Sequence, residues 1–499
     1  MVVAAADTPA PTRSELVSGL LAQTAEAAPG ALAVACGERR MTYAQLAAEV
    51  DRLAAGLAAA GVGPGDAVAL LAAPGTPSLL GILGILGAGA VAVPMSPASK
   101  PAELRFCVED SGARVVLTDG SLEAAPPPSA RVLVLDDVLG AGRHAAPVSV
   151  AVAPDADALF LYSAGATGRP KRVPRTHRQL VAESRSVVAA LELTPEDSVF
   201  CALPLFHAYG LGCCLLAALR SGASLLFAGD RIPFALDRAR VLALLEHAGA
   251  TVFPAVPFHL RVLAEAPGAA QLSGLRLCLS AGNALPRATF EAFTAAFGVT
   301  PRQLYGCTEA GAVTANIDGD PVRTAGSVGR ALDGVELAVV GADGAPVETG
   351  RLGEITIRSE AMTRGYAGVD PVVNRDAFPG GAFLTGDRGR LDAEGRLWLT
   401  GRRKRLIDVR GDKVDPVEVE DVLAVHPKVR EVVVVGVQGP VQGEDLVKAV
   451  VVADGTCGAR ELVRFCRERL ADHKAPQLVE FCEEIPRSPL GEVLRKYLV

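Results

Sequence analysis

The sequence predicts an α/β protein: a large N-terminal region of parallel-type sheets with covering helices, a small antiparallel barrel, and a small α+β C-terminal domain. Three observations predict this. Short apolar runs alternate with helix-period stretches up to residue 282. Short strand-like segments between glycine turns replace them after about residue 330. A polar, basic stretch, TGRRKRLIDVRGDKVDP, then sets off the end of the chain. The expected division is 1–400, with 331–400 its barrel-like part, a connecting segment 401–405, and a domain 406–499.

Residues 43–60 carry apolar side chains at helical spacing and stop at a Gly/Pro-rich turn, after which AVALLA (67–72) reads as a buried strand. The longest apolar run, Leu79 to Met95, is interrupted by four glycines and a proline, so it does not suit a membrane span. It reads as a buried helix ending near Gly87, followed by the strand GAVAVPM. Residues 101–110 read as helix, and ARVVLTD, RVLVLDD, VFCAL, SLLFAG, ATVFPAV and LRLCLSAG continue the strand series. VELAVVG, GEITIRS and GRLWLTG suit an antiparallel barrel. The C-terminal part reads as helix 416–425, strands REVVVVGV and LVKAVVV, helix 460–471 and strand 477–485.

Composition narrows the class. The 499 residues are 50% hydrophobic and 21% charged, which excludes a disordered chain. Forty-nine basic and 56 acidic side chains give a net charge of -7, and aromatics are 4%, so nucleic acid is not an expected partner. The opening MVVAAADTPAPTRSE lacks a cationic head, so a cytoplasmic location without a secretory leader is expected. The ten cysteines form no CxxC and the seven histidines no HExxH, so no structural metal is expected and the thiols are taken as core filler. Cys201, Cys278 and Cys307 have no acid–base partner visible in sequence and are not proposed as nucleophiles.

Residues 158–177 carry the most chemistry. An apolar strand, ALFLY, runs into a loop holding Ser163, Gly165, Thr167, Gly168 and Lys171. Glycines let several backbone N–H groups point inward, hydroxyls add donors, and a lysine supplies a mobile point charge, so the loop reads as a phosphate clamp or, failing that, as a surface loop. It matches neither GxxxxGK[ST] nor GxGxxG, which excludes a Walker A loop and a dinucleotide fingerprint.

Together with this loop, PLFHAYG (204–210), YGCTEAG (305–311), LTGD (384–387), GRRKRLIDVRGDKV (401–414) and PVEVE (416–420) follow one another in an order that resembles the adenylate-forming superfamily of acyl-CoA synthetases, aryl-CoA ligases and luciferase-like AMP-binding enzymes. The resemblance runs from TYAQL (42–46) to the tail. It implies activation of a carboxylate by ATP and Mg²⁺ to an acyl-adenylate, then transfer to coenzyme A or a carrier protein's phosphopantetheine thiol. By this resemblance Asp387 and Arg402 meet the ribose and phosphate, Tyr305 packs on adenine, and Thr308 bonds the α-phosphate. Glu309 helps ligate Mg²⁺, and His207 shapes the mouth of the acyl pocket. Tyr209, Ser280, Ala281, Gly282, Asn283, Gly306, Cys307, Gly311, Ala312 and Val313 line that pocket. Lys404 is the pivot of a hinge on which the C-terminal domain moves, and Gly411 and Lys413 lie where the pantetheine enters. The expected acid is aryl or medium-sized and apolar, because most of these linings are small and no aspartate follows Phe206 to hold an α-ammonium. An acyl carrier protein is a further partner, and the oligomeric state is left open.

The chain departs from the family pattern twice. In PRSPLGEVLR, Glu492 stands where the family has a lysine that binds the attacking carboxylate and α-phosphate. In AGATGRPKR, Ala166 replaces a threonine, and Arg172 replaces a glycine and adds charge. Impaired adenylation, with use of a supplied adenylate, is therefore expected, unless Arg495 or Lys496 compensates. An amide- or ester-forming ligase and a non-catalytic acyl-AMP-binding protein are the alternatives.

Overall fold

The computed structural model describes residues 15–499 except 123–124, 149, 164–169, 230–237, 266–271, 403–406, 410–411, 415, 440–444, 456 and 488–492. The chain divides into two units: the described parts of Met1–Ala281, Arg287–Glu336 and Ile357–Phe383, and those of Gly282–Pro286, Leu337–Thr356 and Leu384–Val499.

Two sheets organise the first unit. One runs Arg131–Val134, Val115–Thr118, Ala67–Leu71, Val91–Met95, Asp157–Ser163, Lys171–Thr176; the first five strands are parallel and the last is antiparallel. The other has a parallel centre, Arg302–Cys307, Leu277–Ser280, Val252–Ala255, Ser198–Phe200, Ser224–Phe227, Leu32–Cys36. Antiparallel strands flank it: Arg39–Thr42 on one side, Gly311–Ala315 and Arg330–Ala331 on the other. Three of the centre strands, Ser224–Phe227, Val252–Ala255 and Leu277–Ser280, are buried along their whole length and mostly apolar, as strands covered on both faces tend to be.

The long apolar run resolves as expected into the helix Thr76–Gly87 and the strand Val91–Met95. The helix is apolar on every side because it is packed on every side. Its Gly81 and Gly84 lie so close to Leu70 and Leu53 that an added Cβ would overlap those side chains. Leu53 belongs to the helix Tyr43–Ala59, which Thr42 starts with a reciprocal cap: Gln45 N–H donates to its hydroxyl at 3.3 Å, and Thr42 N–H donates to Gln45 Oε1 at 2.9 Å. Two features go beyond what the sequence reading assigned. The apolar stretch Leu211–Leu216 forms a turn of π-helix, which helical periodicity does not distinguish from α. The glycine-rich loop joins an antiparallel hairpin, because Lys171–Thr176 pairs with the strand before it.

The second unit holds most of an antiparallel-edged sheet ordered Val335–Val340, Gly353–Ser359, Phe383–Leu391, Leu397–Arg402. It also contains the hairpin Ile407–Val409/Asp412–Val414 and the sheet Val429–Gln438, Asp445–Ala453, Leu478–Phe481. Val419 and Leu423 of the helix Pro416–Ala424 and Leu462 and Cys466 of the helix Ala459–Arg467 close one core with Val434, Val447 and Val451. The last helix stops short of the expected residue 471: a 3₁₀ turn at Asp472–Lys474 follows, and Lys474 pairs with Glu418 at 2.6 Å.

Burial sets an acid sensitivity in the first unit. His177 opens the helix His177–Leu191, is 1% exposed, and accepts a hydrogen bond on Nδ1 from Val17 N–H at 3.4 Å. Burial pushes its pKa down to about 4. The unfolded chain therefore binds a proton at this residue between pH 6.5 and 4 that the folded chain does not, so stability falls as pH falls through that window. The cost reaches about 3 kcal/mol by pH 4. Thermal midpoints measured from pH 7 to 4.5 should decline, and His177→Asn, which keeps an acceptor for Val17, should flatten the decline. An equal slope in the variant would assign the acid sensitivity elsewhere.

Candidate active site

Several of the sequence-selected residues of the first unit sit at the carboxyl ends of parallel strands, where open α/β sheets bind ligands. Ser163 ends Asp157–Ser163, Ser280 ends Leu277–Ser280, and Cys307 ends Arg302–Cys307. Thr308 and Glu309 occupy the turn between Arg302–Cys307 and its antiparallel partner Gly311–Ala315. That hairpin brings Gly306 opposite Ala312 and Cys307 opposite Gly311, and Gly311 takes φ +72°. Tyr305 pairs with Thr314 and is buried, as are Ala312 and Val313.

The phosphate-binding candidates meet at one point. Ser163 and Lys171 are register partners across the base of the glycine-rich hairpin. Lys171 Nζ lies 4.3 Å from the centre of the Tyr366 ring, and the Tyr366 hydroxyl donates to Glu309 Oε1 at 2.8 Å. The Glu309 carbonyl accepts from Thr363 N–H at 2.8 Å. Tyr366 thus joins the lysine to the carboxylate: its face attracts the cation and its hydroxyl orients the anion. Gly165, Thr167 and Gly168 lie outside the described residues. Sequence reasoning missed Tyr366. One tyrosine among six, remote from every motif, gives no signal until the chain folds.

Arg172 takes a different course from the expected one. Successive strand residues face opposite ways, so it turns from the Lys171 side towards Asp110. It donates to the Asp110 carbonyl at 2.7 Å, lies 3.5 Å from the Asp110 carboxylate and stacks 5.0 Å from Phe160. Its charge is engaged there, which corrects the expectation that it supplements the phosphate loop.

A single carboxylate at Glu309 suits Mg²⁺, which keeps several waters and takes substrate phosphates beside one or two protein oxygens. Among the described residues no group of three or more His, Cys, Asp or Glu forms a metal cluster. Glu309 would hold the ion, which supplies electrostatic stabilisation for charge developing on the phosphates.

His207 caps the short helical turn Ala208–Gly210, its Nδ1 accepting from Tyr209 N–H at 3.3 Å. Tyr209 is buried beside the Ala255 backbone and Cys213, Cys214 and Cys278, and burial drives its phenol well above the usual value. Burial also pushes the Cys278 thiol up, away from nucleophile behaviour. Ser280 is 1% exposed with its hydroxyl unpartnered among the described residues, and Ala281 N–H donates to the Ala255 carbonyl at 3.1 Å.

In the second unit, Gly282 takes φ +86° and Asn283 is exposed. Asp387 is 6% exposed and is the register partner of Arg402 across neighbouring antiparallel strands. Its N–H donates to the Thr385 hydroxyl at 3.0 Å. Lys413 opposes Asp408 in the hairpin Ile407–Val409/Asp412–Val414. Lys404, Gly411 and Glu492 lie outside the described residues.

A lysine on an antiparallel edge strand, a tyrosine from a distant loop and a carboxylate at a strand-end turn thus stand together, and comparison with known proteins shows the family to which the chain belongs. The family described as AMP-binding enzyme matches residues 21–367, and the AMP-binding enzyme C-terminal domain matches 418–492. A sulfoacetate–CoA ligase of Cupriavidus necator is 34% identical over 475 residues, covering 92% of each chain. A long-chain-fatty-acid–CoA ligase of Mycobacterium tuberculosis is 34% identical over 479 residues, again covering 92% of each. The o-succinylbenzoate–CoA synthetase of Bacillus subtilis, solved with ATP and magnesium, superposes with a TM-score of 0.85 at 28% identity, covering 96% of this chain and 98% of that one. The chain belongs to the AMP-binding enzymes, the adenylate-forming superfamily, and is by class an ATP-dependent acid–thiol ligase. ATP, Mg²⁺ and coenzyme A are the cofactors and co-substrates of that class. Among the described residues no helix is long and apolar enough to cross a membrane.

Proposed function

We propose that this ligase joins a small carboxylic acid to a thiol through an acyl-adenylate. The acid's carboxylate oxygen attacks the α-phosphorus of ATP, a P–O bond forms, and pyrophosphate leaves. The thiol sulfur then attacks the acyl carbon, AMP leaves, and the thiol proton passes to solvent. The carboxylate is already ionised at neutral pH, so the first step needs cations and positioning rather than a strong base. Lys171, Thr167, Ser163 and the backbone at Gly165 and Gly168 take the phosphates; Thr308 takes the α-phosphate; Glu309 takes the magnesium. Asp387 and Arg402 take the ribose side, and Tyr305 the adenine. His207 and Tyr209, with Ser280, Ala281, Gly282, Asn283, Gly306, Cys307, Gly311, Ala312 and Val313, form the acyl slot. Lys404 is the pivot between 1–400 and 406–499, and Gly411 and Lys413 border the thiol's path.

The single observation that carries this reading is the Lys171–Tyr366–Glu309 cluster at a strand-end turn. The acid is aryl or medium-sized and apolar: most of the slot residues are small, and His207 follows Phe206 where an ammonium-binding aspartate would stand. The two CoA ligases at equal identity are named for acids as unlike as sulfoacetate and a long-chain fatty acid, so similarity does not select among substrates. The acceptor is coenzyme A, with a carrier protein's phosphopantetheine as the second arm of the test. Glu492 favours a second reading, in which adenylation is slow and a supplied acyl-AMP is the working substrate. The test incubates the protein with a panel of aryl and aliphatic acids, ATP and Mg²⁺, or with synthetic acyl-adenylates, and with coenzyme A or a phosphopantetheinylated carrier protein. Mass spectrometry should detect an acyl-thioester of an aryl or medium-length acid. Absence of any thioester from every adenylate would overturn the assignment.

A further inference from the structure

Arg175 and Glu183 form a salt bridge in the interior of the first unit. Their side chains are 0% and 3% exposed, and Arg175 Nη2 lies 2.8 Å from Glu183 Oε2. Two charges withdrawn from water in this way seldom add net stability over apolar side chains of similar size. What this pair touches suggests why it is there. Arg175 Nη1 donates to the Thr308 carbonyl at 3.2 Å, and Nη2 donates also to the Ala361 carbonyl at 2.8 Å. Glu183 Oε1 accepts from Ala312 N–H at 3.3 Å. The pair therefore grips the Thr308–Glu309 turn on both sides: the carbonyl just before Glu309 and the amide just after Gly311. Ala361 starts the segment whose Thr363 and Tyr366 hold the Glu309 carbonyl and carboxylate at 2.8 Å each.

The fit around the carboxylate is tight in two directions. A Cβ at Gly311 would fall inside the Glu183 carboxylate, and so would one at Gly212. Gly212 belongs to the π-helical turn Leu211–Leu216, which continues from His207 and Tyr209. Glu183 is thus wedged between the turn that carries the magnesium candidate and the segment that carries the acyl-slot candidates. Arg175 lies four residues beyond Lys171 on the same strand, so both project from the same face of it.

We infer that the Arg175–Glu183 pair is a positioning unit: it fixes the Thr308–Glu309 turn for magnesium and the α-phosphate, and couples that turn to the acyl-slot segment through Gly212. The assignment of Glu309 to magnesium comes from the proposed function; the clamp on the turn stands on the contacts alone.

The double replacement Arg175→Met with Glu183→Leu removes both charges and leaves apolar side chains in their place, so it should melt above either single replacement, each of which strands a buried charge, while the Thr308 and Ala361 carbonyls and the Ala312 N–H lose these partners and hold it at or below the parent. A crystal structure of the double variant should show the Glu309 carboxylate displaced by about 1 Å or more, a shift that misaligns a site without unfolding it. Binding of Mn·ATP, followed by the relaxation of water protons, should weaken about 10- to 100-fold, the range seen when a group orienting a metal ligand is lost. Transfer from supplied acyl-AMP to the thiol should fall less than pyrophosphate exchange does, because it uses the α-phosphate contact at Thr308 but no magnesium. A folded double variant with the turn unmoved and Mn·ATP binding unchanged overturns the inference. If the turn moves while the parent itself binds no Mn·ATP, the positioning role stands and the nucleotide assignment falls.

Discussion

Glu492→Lys raises acid-dependent ATP–pyrophosphate exchange about 10²- to 10³-fold, the span expected when a cation is restored beside charge that develops in the transition state. The expectation follows from one position in the tail. PRSPLGEVLR resembles the family's terminal motif, and its lysine position is occupied by an acid. An anion there would oppose both the attacking carboxylate and the α-phosphate. The neighbouring arginine does not offer a replacement in this arrangement of the second unit. Arg495 Nη2 pairs with Glu420 Oε1 at 2.8 Å, and Nη1 donates to the Val434 carbonyl, so recruiting it would break a part-buried ion pair. Arg172 is likewise held by Asp110. The same Glu492→Lys variant should leave transfer from supplied acyl-AMP within about threefold of the parent, because that step involves no attack on phosphorus. A flat exchange rate would mean that residue 492 does not act on the adenylating site.

Glu309→Gln lowers pyrophosphate exchange about 10²- to 10³-fold and raises the Mg²⁺ needed for half-maximal rate. The substitution is nearly isosteric. The Tyr366 hydroxyl can still donate to the side-chain oxygen that now lies 2.8 Å away, and Thr363 N–H still reaches the carbonyl. What is lost is the negative charge that a hard cation requires. The thermal midpoint should therefore move little. Exchange at the parent's rate and Mg²⁺ dependence would place the metal elsewhere and dissolve the cluster as a catalytic unit.

The two variants act on opposite sides of the same reaction, one adding a cation and one removing an anion. Their effects should combine without additivity if both groups serve the α-phosphate transition state.

Much of this molecule was legible before it was folded. The buried strands Ala67–Leu71, Val91–Met95 and Val252–Ala255 were visible as short apolar runs, because a strand covered on both faces leaves no room for polar alternation. The Leu79–Met95 run was divisible into helix and strand because glycine and proline punctuate it. Lys171 stood out from the glycine-rich loop it closes, whereas Glu309 was singled out only by the resemblance of YGCTEAG to the adenylate-forming family. The pairing of Lys171–Thr176 with Asp157–Ser163 was not legible, since the same apolar content suits a parallel or an antiparallel neighbour.

By itself, then, the order of residues determined the alternation of strands and helices, the turns that end them and the chemical groups those turns present. Those are short-range matters of periodicity, backbone freedom and side-chain type. Only the tertiary structure decided that Tyr366 would bridge Lys171 and Glu309, that Arg172 would answer Asp110, and that Arg175 and Glu183 would clasp the Glu309 turn from the interior. Each of those contacts joins segments distant in the chain, and no local pattern records which polar groups will be left facing one another once the apolar surfaces have closed.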